Sequence, residues 1–244
     1  MSGFLSALQF LTRIPVPRGE YRVEESVVWL PVVGLVLGAI LASVDGVLRT
    51  LGVDPLVIST AIVVLLLALT GALHADGLMD TCDAVFGHAS PERRLEIMRD
   101  PHVGAFGVVG LVCVVALKIA AVYGLPAAIR LQTLILAPTL GRWAIVLLAT
   151  LFPYGRASGL GAPLKVAATP RILAVASLLP LAGCITVGPV GIACGLIASV
   201  VALGLGRWLV RLLPGLTGDS YGAACELVEA TVWLSAAPFA RVWA

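Results

Sequence analysis

An all-α, polytopic membrane helix bundle of about six to seven transmembrane helices is the fold the sequence predicts, on three observations. Hydrophobic residues make up 59% of the 244 and charged residues only 12%. Mean hydropathy is +1.04, so a fold in water would expose much of that apolar surface, and lipid is the better solvent. The apolar residues also come in runs of about 20, the length that crosses a hydrocarbon core of ~30 Å. A single integral-membrane domain over residues 1–244 follows.

Along the chain, Phe4, Leu5, Leu8 and Leu11 keep a helical period without a basic leader, and Thr12–Pro17 is not a small-residue cleavage site. A short interfacial helix is therefore expected there, not a signal peptide. Spans are expected near 27–48, 56–74, 104–123, 131–151, 171–187, 189–206 and 227–243. Asp45 interrupts the first, and Glu229, Pro238 and Arg241 crowd the last. The uncharged stretch Ile172–Gly206 is too long for one helix, and Gly188-Pro189 supplies the turn. Gly34-x-x-x-Gly38 and Gly191-x-x-x-Gly195, in apolar segments, read as helix-packing contacts. Five cysteines without a C-x-x-C pair give neither a zinc site nor a disulfide framework. No P-loop, G-x-G-x-x-G or serine elbow occurs, and no nucleic-acid partner is expected.

Charge placement is more informative than its total. Seven spans leave Arg13, Arg18, Arg22, Arg93, Arg94, Arg99, Arg156, Lys165, Arg171, Arg207 and Arg211 on one side. Arg49, Arg130 and Arg241 fall on the other, with Lys118 and Arg142 inside spans. Eleven against three makes the first side cytoplasmic by the positive-inside rule. The expected location is a cell (inner) membrane, crossed several times.

The chemistry concentrates in His74–His102, which holds six of the fourteen acids and all three histidines. Asp76, Asp80 and Asp83 stand at i, i+4 and i+7, within roughly 60° of one another on a helix. No lysine or arginine separates them, so a hard divalent cation, Mg²⁺, is the natural occupant. A solvated face would mix charge signs. His74 is a candidate catalytic residue that orients an aspartate or donates to a phosphate; His88 and His102 rank below it. Ser90-Pro91-Glu92 reads as an N-cap with proline at N1, opening a short helix that Asp100-Pro101 stops. Arg93, Arg94 and Arg99 could meet phosphate oxygens bidentately, although routine ion pairs with Glu92, Glu96 and Asp100 explain the same residues.

A second acidic segment holds Asp219, Glu226 and Glu229, the only acids after Asp100. Their spacing allows one helical face, and Gly215, Gly218 and Gly222 let backbone approach a ligand. Two acidic faces on one side could share metal around a pyrophosphate. Lys118, deep in an apolar run, is the better functional candidate of the two intramembrane cations.

Leu73-His-Ala-Asp-Gly-Leu-Met-Asp-Thr-Cys-Asp83, then Arg93-Arg-Leu-Glu-Ile-Met-Arg-Asp100 and Gly104-Ala-Phe-Gly107, resemble the cobalamin synthase family, adenosylcobinamide-GDP ribazoletransferases. The resemblance extends over Phe10–Pro17, Phe152–Arg156, Gly159–Gly161 and Thr217–Asp219, in order. It implies a membrane enzyme that joins adenosylcobinamide-GDP to α-ribazole, or its 5′-phosphate, releasing GMP with Mg²⁺. On that basis Asp76, Asp80, Asp83 and His74 are catalytic candidates. Asp76, Asp80, Asp83 and Asp219 are the metal set, with Asp83 a candidate proton acceptor. Arg93, Arg94, Arg99, Asp100 and Lys118 are candidates for binding substrate. The implied partners are the two small molecules and the lipid bilayer, and a homo-oligomer is compatible with them.

Two other readings share features. A CDP-alcohol phosphatidyltransferase would need Ala-Arg where Met79-Asp80 stands, and a wider spacing before its last aspartates. A transporter would carry acids near mid-span in two similar halves, whereas these acids sit at span ends.

Overall fold

The computed structural model describes residues 2–17, 19–87, 89–159 and 161–243. Arg18, His88 and Leu160, named above, lie outside the described residues. Among those described the fold is all helical, apart from one parallel bridge between Tyr154 and Leu216.

α1 (Ser2–Leu11) is the expected short N-terminal helix, packed on a 3₁₀ turn (Val23–Trp29) that runs into α2 (Leu30–Thr50). α2 lies antiparallel on α7 (Ala127–Leu151). A Cβ at Gly34 would sit 2.7 Å from the Thr139 Cα, and one at Gly38 would sit 2.8 Å from the Ile135 carbonyl oxygen. Both glycines are thus the packing contacts their spacing indicates. Farther along the pair, Arg130 Nη2 meets Asp45 Oδ1 at 2.7 Å, and Arg49 Nε donates to Asp45 Oδ2 at 2.9 Å. This buried pairing is what lets Asp45 interrupt an apolar helix.

α3 (Pro55–Thr70) begins at Asp54, whose carboxylate accepts from Leu56 N at 2.8 Å. It ends at Gly71 (φ 59°) and Ala72 (φ 57°), both left-handed. There the chain turns by 91° into α4 (Leu73–Phe86). α4 is 14 residues long, so it rises about 21 Å, short of a ~30 Å core, and it carries the three aspartates. α5 (Pro91–Ile97) opens on the expected cap, Ser90 Oγ accepting from Arg93 N at 3.3 Å, with Pro91 in the first turn.

α6 (Ala105–Tyr123), α7, α8 (Ala162–Ala167), α9 (Pro170–Val187), α10 (Pro189–Leu212) and α11 (Gly218–Trp243) complete the bundle. α9 and α10 divide at Gly188 (φ 75°) as the sequence indicates. Gly191 and Gly195 face Cys184 of α9, again as packing contacts.

Seven spans are too many by length and composition. Among the described residues five helices qualify (the 3₁₀ turn with α2, then α6, α7, α9 and α10), or six if the bent α3–α4 pair counts as one. The expected last span, 227–243, belongs to a helix that starts earlier and carries Asp219, Glu226 and Glu229 in its first turns. α11 nevertheless runs antiparallel to α7 through the centre, and Trp233 Nε1 donates to the Thr133 carbonyl at 3.3 Å. Its neighbours α4, α6, α7 and α10 shield it, so it need not be apolar throughout. The third and fourth turns of α11 bring Glu226 and Glu229 against Lys118 of α6 and Arg142 of α7.

Candidate active site

The site forms where α4 and α11 touch backbone to backbone. A Cβ at Gly77 would lie 2.8 Å from the Asp219 carbonyl oxygen, and one at Gly222 would lie 3.0 Å from the His74 carbonyl oxygen. These two glycines bring Asp219, in the first turn of α11, beside the acidic face of α4. A second close approach fixes the loops beneath. Gly155 N donates to the Leu216 carbonyl and Leu216 N to the Pro153 carbonyl, each at 2.8 Å. A Cβ at Gly155 would fall 2.6 Å from the Gly215 carbonyl oxygen, so glycine is required there.

That zipped pair of loops delivers Arg156. Its Nη2 lies 2.8 Å from Asp219 Oδ2 and 3.2 Å from the Met98 carbonyl oxygen. Thr217 Oγ1 also donates to Asp219 Oδ2, at 3.3 Å, which leaves Oδ1 of Asp219 without a partner among the described residues. Burial raises the Asp219 carboxyl above its usual range, against the pull of Arg156 and Thr217. Arg156 is the site residue that sequence reasoning missed. Its signals were a lone cation after a Pro-Tyr-Gly turn and its place in the family-like segment Phe152–Arg156.

Asp80 sits amid this group, and its carboxyl is pushed up to about 7. Burial is the largest cause, followed by the charges of Asp219 and Asp76, with Arg156 opposing. Neither Asp76 nor Asp80 has a side-chain partner among the described residues, and Asp76 is exposed. Asp76 and Asp219 thus lie near enough to Asp80 for their charges to act on it.

Asp83 has a different job. Its Oδ2 accepts from Gly104 N and its Oδ1 from Gly107 N, both at 2.8 Å, so it caps α6 from outside. A Cβ at Gly104 would come within 2.8 Å of the carboxyl carbon, so glycine leaves room for that cap. Committed through both oxygens, Asp83 is a poor choice for the proton acceptor expected of it.

His74 is 3% exposed, and both ring nitrogens lack partners. It orients no aspartate. Burial, then the charges of Arg142 and Lys118, hold its pKa well below the ordinary value, so the ring is neutral.

The expected substrate-binding residues divide. Lys118 is 1% exposed; its Nζ lies 2.6 Å from Glu226 and also binds Glu229, while Glu229 binds Arg142 as well. Its charge is thus satisfied inside the bundle and is not presented to a phosphate. Glu226 and Glu229 are interior for the same reason and do not extend the acidic site. Arg93 pairs with Glu96 at 2.6 Å on the surface, and Arg94 Nη1 donates to the Leu212 carbonyl at 3.1 Å. Asp100 closes a turn, accepting from His102 N at 3.0 Å, and its pKa is lowered mainly by that bond. Arg99 is exposed and has no polar partner among the described residues.

Among the described residues, no three His, Cys, Asp or Glu side chains converge as a ready-made metal site. The donors present still suit Mg²⁺. That ion is usually held by one or two carboxylates together with substrate phosphates and water, and not by an all-protein cage. Asp76 and Oδ1 of Asp219 are free hard oxygens of this kind, on either side of Asp80.

Comparison with known proteins identifies the family. Residues 3–237 match the family described as Cobalamin-5-phosphate synthase. An adenosylcobinamide-GDP ribazoletransferase of Roseiflexus sp. is 44% identical over 243 residues, covering 94% of this chain and 88% of the relative. One from Desulforamulus reducens is 41% identical over 232 residues, covering 93% and 92%. One from Stutzerimonas stutzeri is 42% identical over 241 residues, covering 95% and 96%. No solved structure matches. With nearly its whole length matched, the chain belongs to the Cobalamin-5-phosphate synthase family, transferases of cobalamin synthesis.

Proposed function

We propose that the protein joins adenosylcobinamide-GDP to α-ribazole, or its 5′-phosphate, releasing GMP in an Mg²⁺-dependent phosphoryl-type transfer. The observation that carries this reading is the meeting of Asp76, Asp80 and Asp219 with Arg156 at one end of the bundle. The activity of the similar transferases supplies the donor and the acceptor.

The 5′ oxygen of the ribazole attacks the corrinoid-side phosphorus, the bond to the GMP oxygen breaks, and the hydroxyl proton must be taken up. Asp80, central in the cluster and free of partners, takes it. Asp76 and Asp219 would hold Mg²⁺, which neutralises charge on the pyrophosphate when bound. Arg156, fixed by Asp219 and the Met98 carbonyl, offsets charge on the leaving GMP, and Arg99 lies exposed at the same end to assist. Catalysis is then chiefly positioning and charge neutralisation.

The site faces the cytoplasm in this reading. Helix directions gather Arg13, Arg22, Arg93, Arg94, Arg99, Arg156, Lys165, Arg171, Arg207 and Arg211 at the acidic end. Arg49, Arg130 and Arg241 remain at the other, which supports an inner-membrane orientation by the positive-inside rule.

Purified protein in nanodiscs is expected to release GMP from adenosylcobinamide-GDP only when α-ribazole and Mg²⁺ are both present. Ribazole-independent release, or none, would sink the assignment. Gly77→Val tests the geometry beneath it. The added side chain must push Asp219 away from α4, so turnover should fall at least ~100-fold while overpacking costs only about 1–3 kcal/mol of stability. Wild-type rates in that variant would show that the α4–α11 contact does not build the site.

A further inference from the structure

Beside the acidic cluster a recess of about 100 Å³ runs between α4, α8 and α11. Its walls are mostly apolar, from Phe10, Leu73, Ile145 and Leu164, and its rim carries Asp76 and Asp219. Inside are three polar atoms without a partner among the described residues: both ring nitrogens of His74 and the Tyr221 hydroxyl. These side chains are 3% and 2% exposed. A polar group left unbonded at such depth is costly, so the recess is complementary to something that arrives. A neighbouring cavity of about 400 Å³ shares Phe10, Leu73 and Asp76 and is lined by Gln9, Arg13 and Thr70.

We propose that the recess seats the flat heteroaromatic base of the attacking nucleoside, with His74 and Tyr221 as its polar contacts. This deepens the reaction proposed above and rests on it for the identity of the nucleoside. No cation lines the recess, so a phosphate is excluded. Guanine presents several donors and acceptors on its edges, more than an imidazole and one hydroxyl can satisfy. A corrinoid is far larger than the space. A benzimidazole-type base offers one ring-nitrogen acceptor on an otherwise apolar plane, and mostly apolar walls with one or two placed polar groups recognise such a ligand. A ring N–H of His74 or the Tyr221 hydroxyl donates to that nitrogen. With the base inside, the ribose extends into the larger cavity and its 5′ hydroxyl emerges beside Asp76, next to Asp80. His74 is then a binding residue for the acceptor, not a partner of the aspartates.

The test compares Tyr221→Phe and Leu164→Phe with wild type in nanodiscs, varying each substrate in turn. The first removes a polar contact, and the second fills the recess from short α8. Each should raise KM for α-ribazole tenfold or more while KM for adenosylcobinamide-GDP stays within twofold. Equilibrium dialysis of α-ribazole without corrinoid should show a parallel loss of binding. A general structural defect would move both KM values together, and that outcome overturns the proposal. Unchanged ribazole KM in both variants also overturns it, as does wild-type protein that binds no α-ribazole. If wild type binds the nucleoside but releases no GMP, the proposed reaction fails, and dialysis of the variants still decides the recess.

Discussion

Asp80→Asn is expected to abolish turnover and to make the protein more stable, a combination that few substitutions produce. Loss of the proton acceptor should lower kcat/KM by about 10³-fold or more. The stability change follows from the crowding of carboxylates. Burial and the charges of Asp219 and Asp76 raise the folded Asp80 carboxyl from 3.8 to about 7. A raised carboxyl is one whose ionised form the fold disfavours. Wild-type stability should therefore fall as pH rises from about 4 through about 7, with the full penalty present above that. Asparagine never ionises, so the variant's profile should lack this decline. Asp80 is half-buried and water screens it, so the gain at pH 8 without divalent ions is placed at about 1 kcal/mol, a few degrees in Tm. Asp83→Asn, three residues on, should have the opposite sign. It turns an amide N–H₂ toward one of the two backbone donors that Asp83 now caps, and about 1–2 kcal/mol should be lost. Thermal unfolding of both variants between pH 5 and 8 in EDTA checks the pair. A lower Tm for Asp80→Asn, or near-normal turnover, would contradict the roles given to the two residues.

That contrast marks where sequence reasoning reaches its limit. The i, i+4, i+7 spacing correctly puts three aspartates on one helical face, because the period of a helix is local information. Which of them stays free depends on what packs beside the helix. The N-terminus of α6 takes Asp83, while α11 crosses near Gly77 and leaves Asp80 in a field of negative charge. Local signals elsewhere were equally legible: the Ser90 cap, the turn at Gly188, and the glycine pairs at Gly34 and Gly191. The bend after α3 was not. It needs Ala72 in a left-handed conformation that composition does not flag, so the sequence shows the helical face of α4 but not the angle at which α4 leaves α3. The start of α11 was not legible either: the expected span begins at 227, whereas the helix begins at Gly218 and covers its polar first turns with other helices. Arg156 acquires its role only through the backbone bridge between Tyr154 and Leu216, 62 positions apart in a sequence that carries no strand pattern there.

Glu229→Ala is expected to give the largest loss of stability in the chain. Lys118 and Arg142 are the two cations buried at mid-bundle on α6 and α7, and Glu226 and Glu229 are the two acids on α11 that face them. The set is neutral as a whole, and Glu229 is the member that touches both cations. Sequence alone shows two unexplained positive charges and two unexplained negative ones, and only the packing of α11 on α6 and α7 pairs them. Bringing such charges out of water is offset only while every partner is present. Without Glu229 one cation remains uncompensated in a dry interior, at a cost of about 3–5 kcal/mol. The lost contacts also release α11 from α7, so Asp219 should drift from Arg156 and activity should fall with the fold. A charge-balanced control separates this from simple loss of packing volume. Lys118→Met combined with Glu226→Gln removes one charge of each sign and keeps the Arg142–Glu229 pair, so it should recover most of the Tm that Glu229→Ala loses. Unfolding in detergent micelles, followed by tryptophan fluorescence, reads both, since Trp233 lies 5.6 Å from the Lys118 ammonium. If Glu229→Ala unfolds within a degree or two of wild type, the four charges are not what binds α11 to its neighbours. If the double variant is as unstable as Glu229→Ala, charge balance is not the reason.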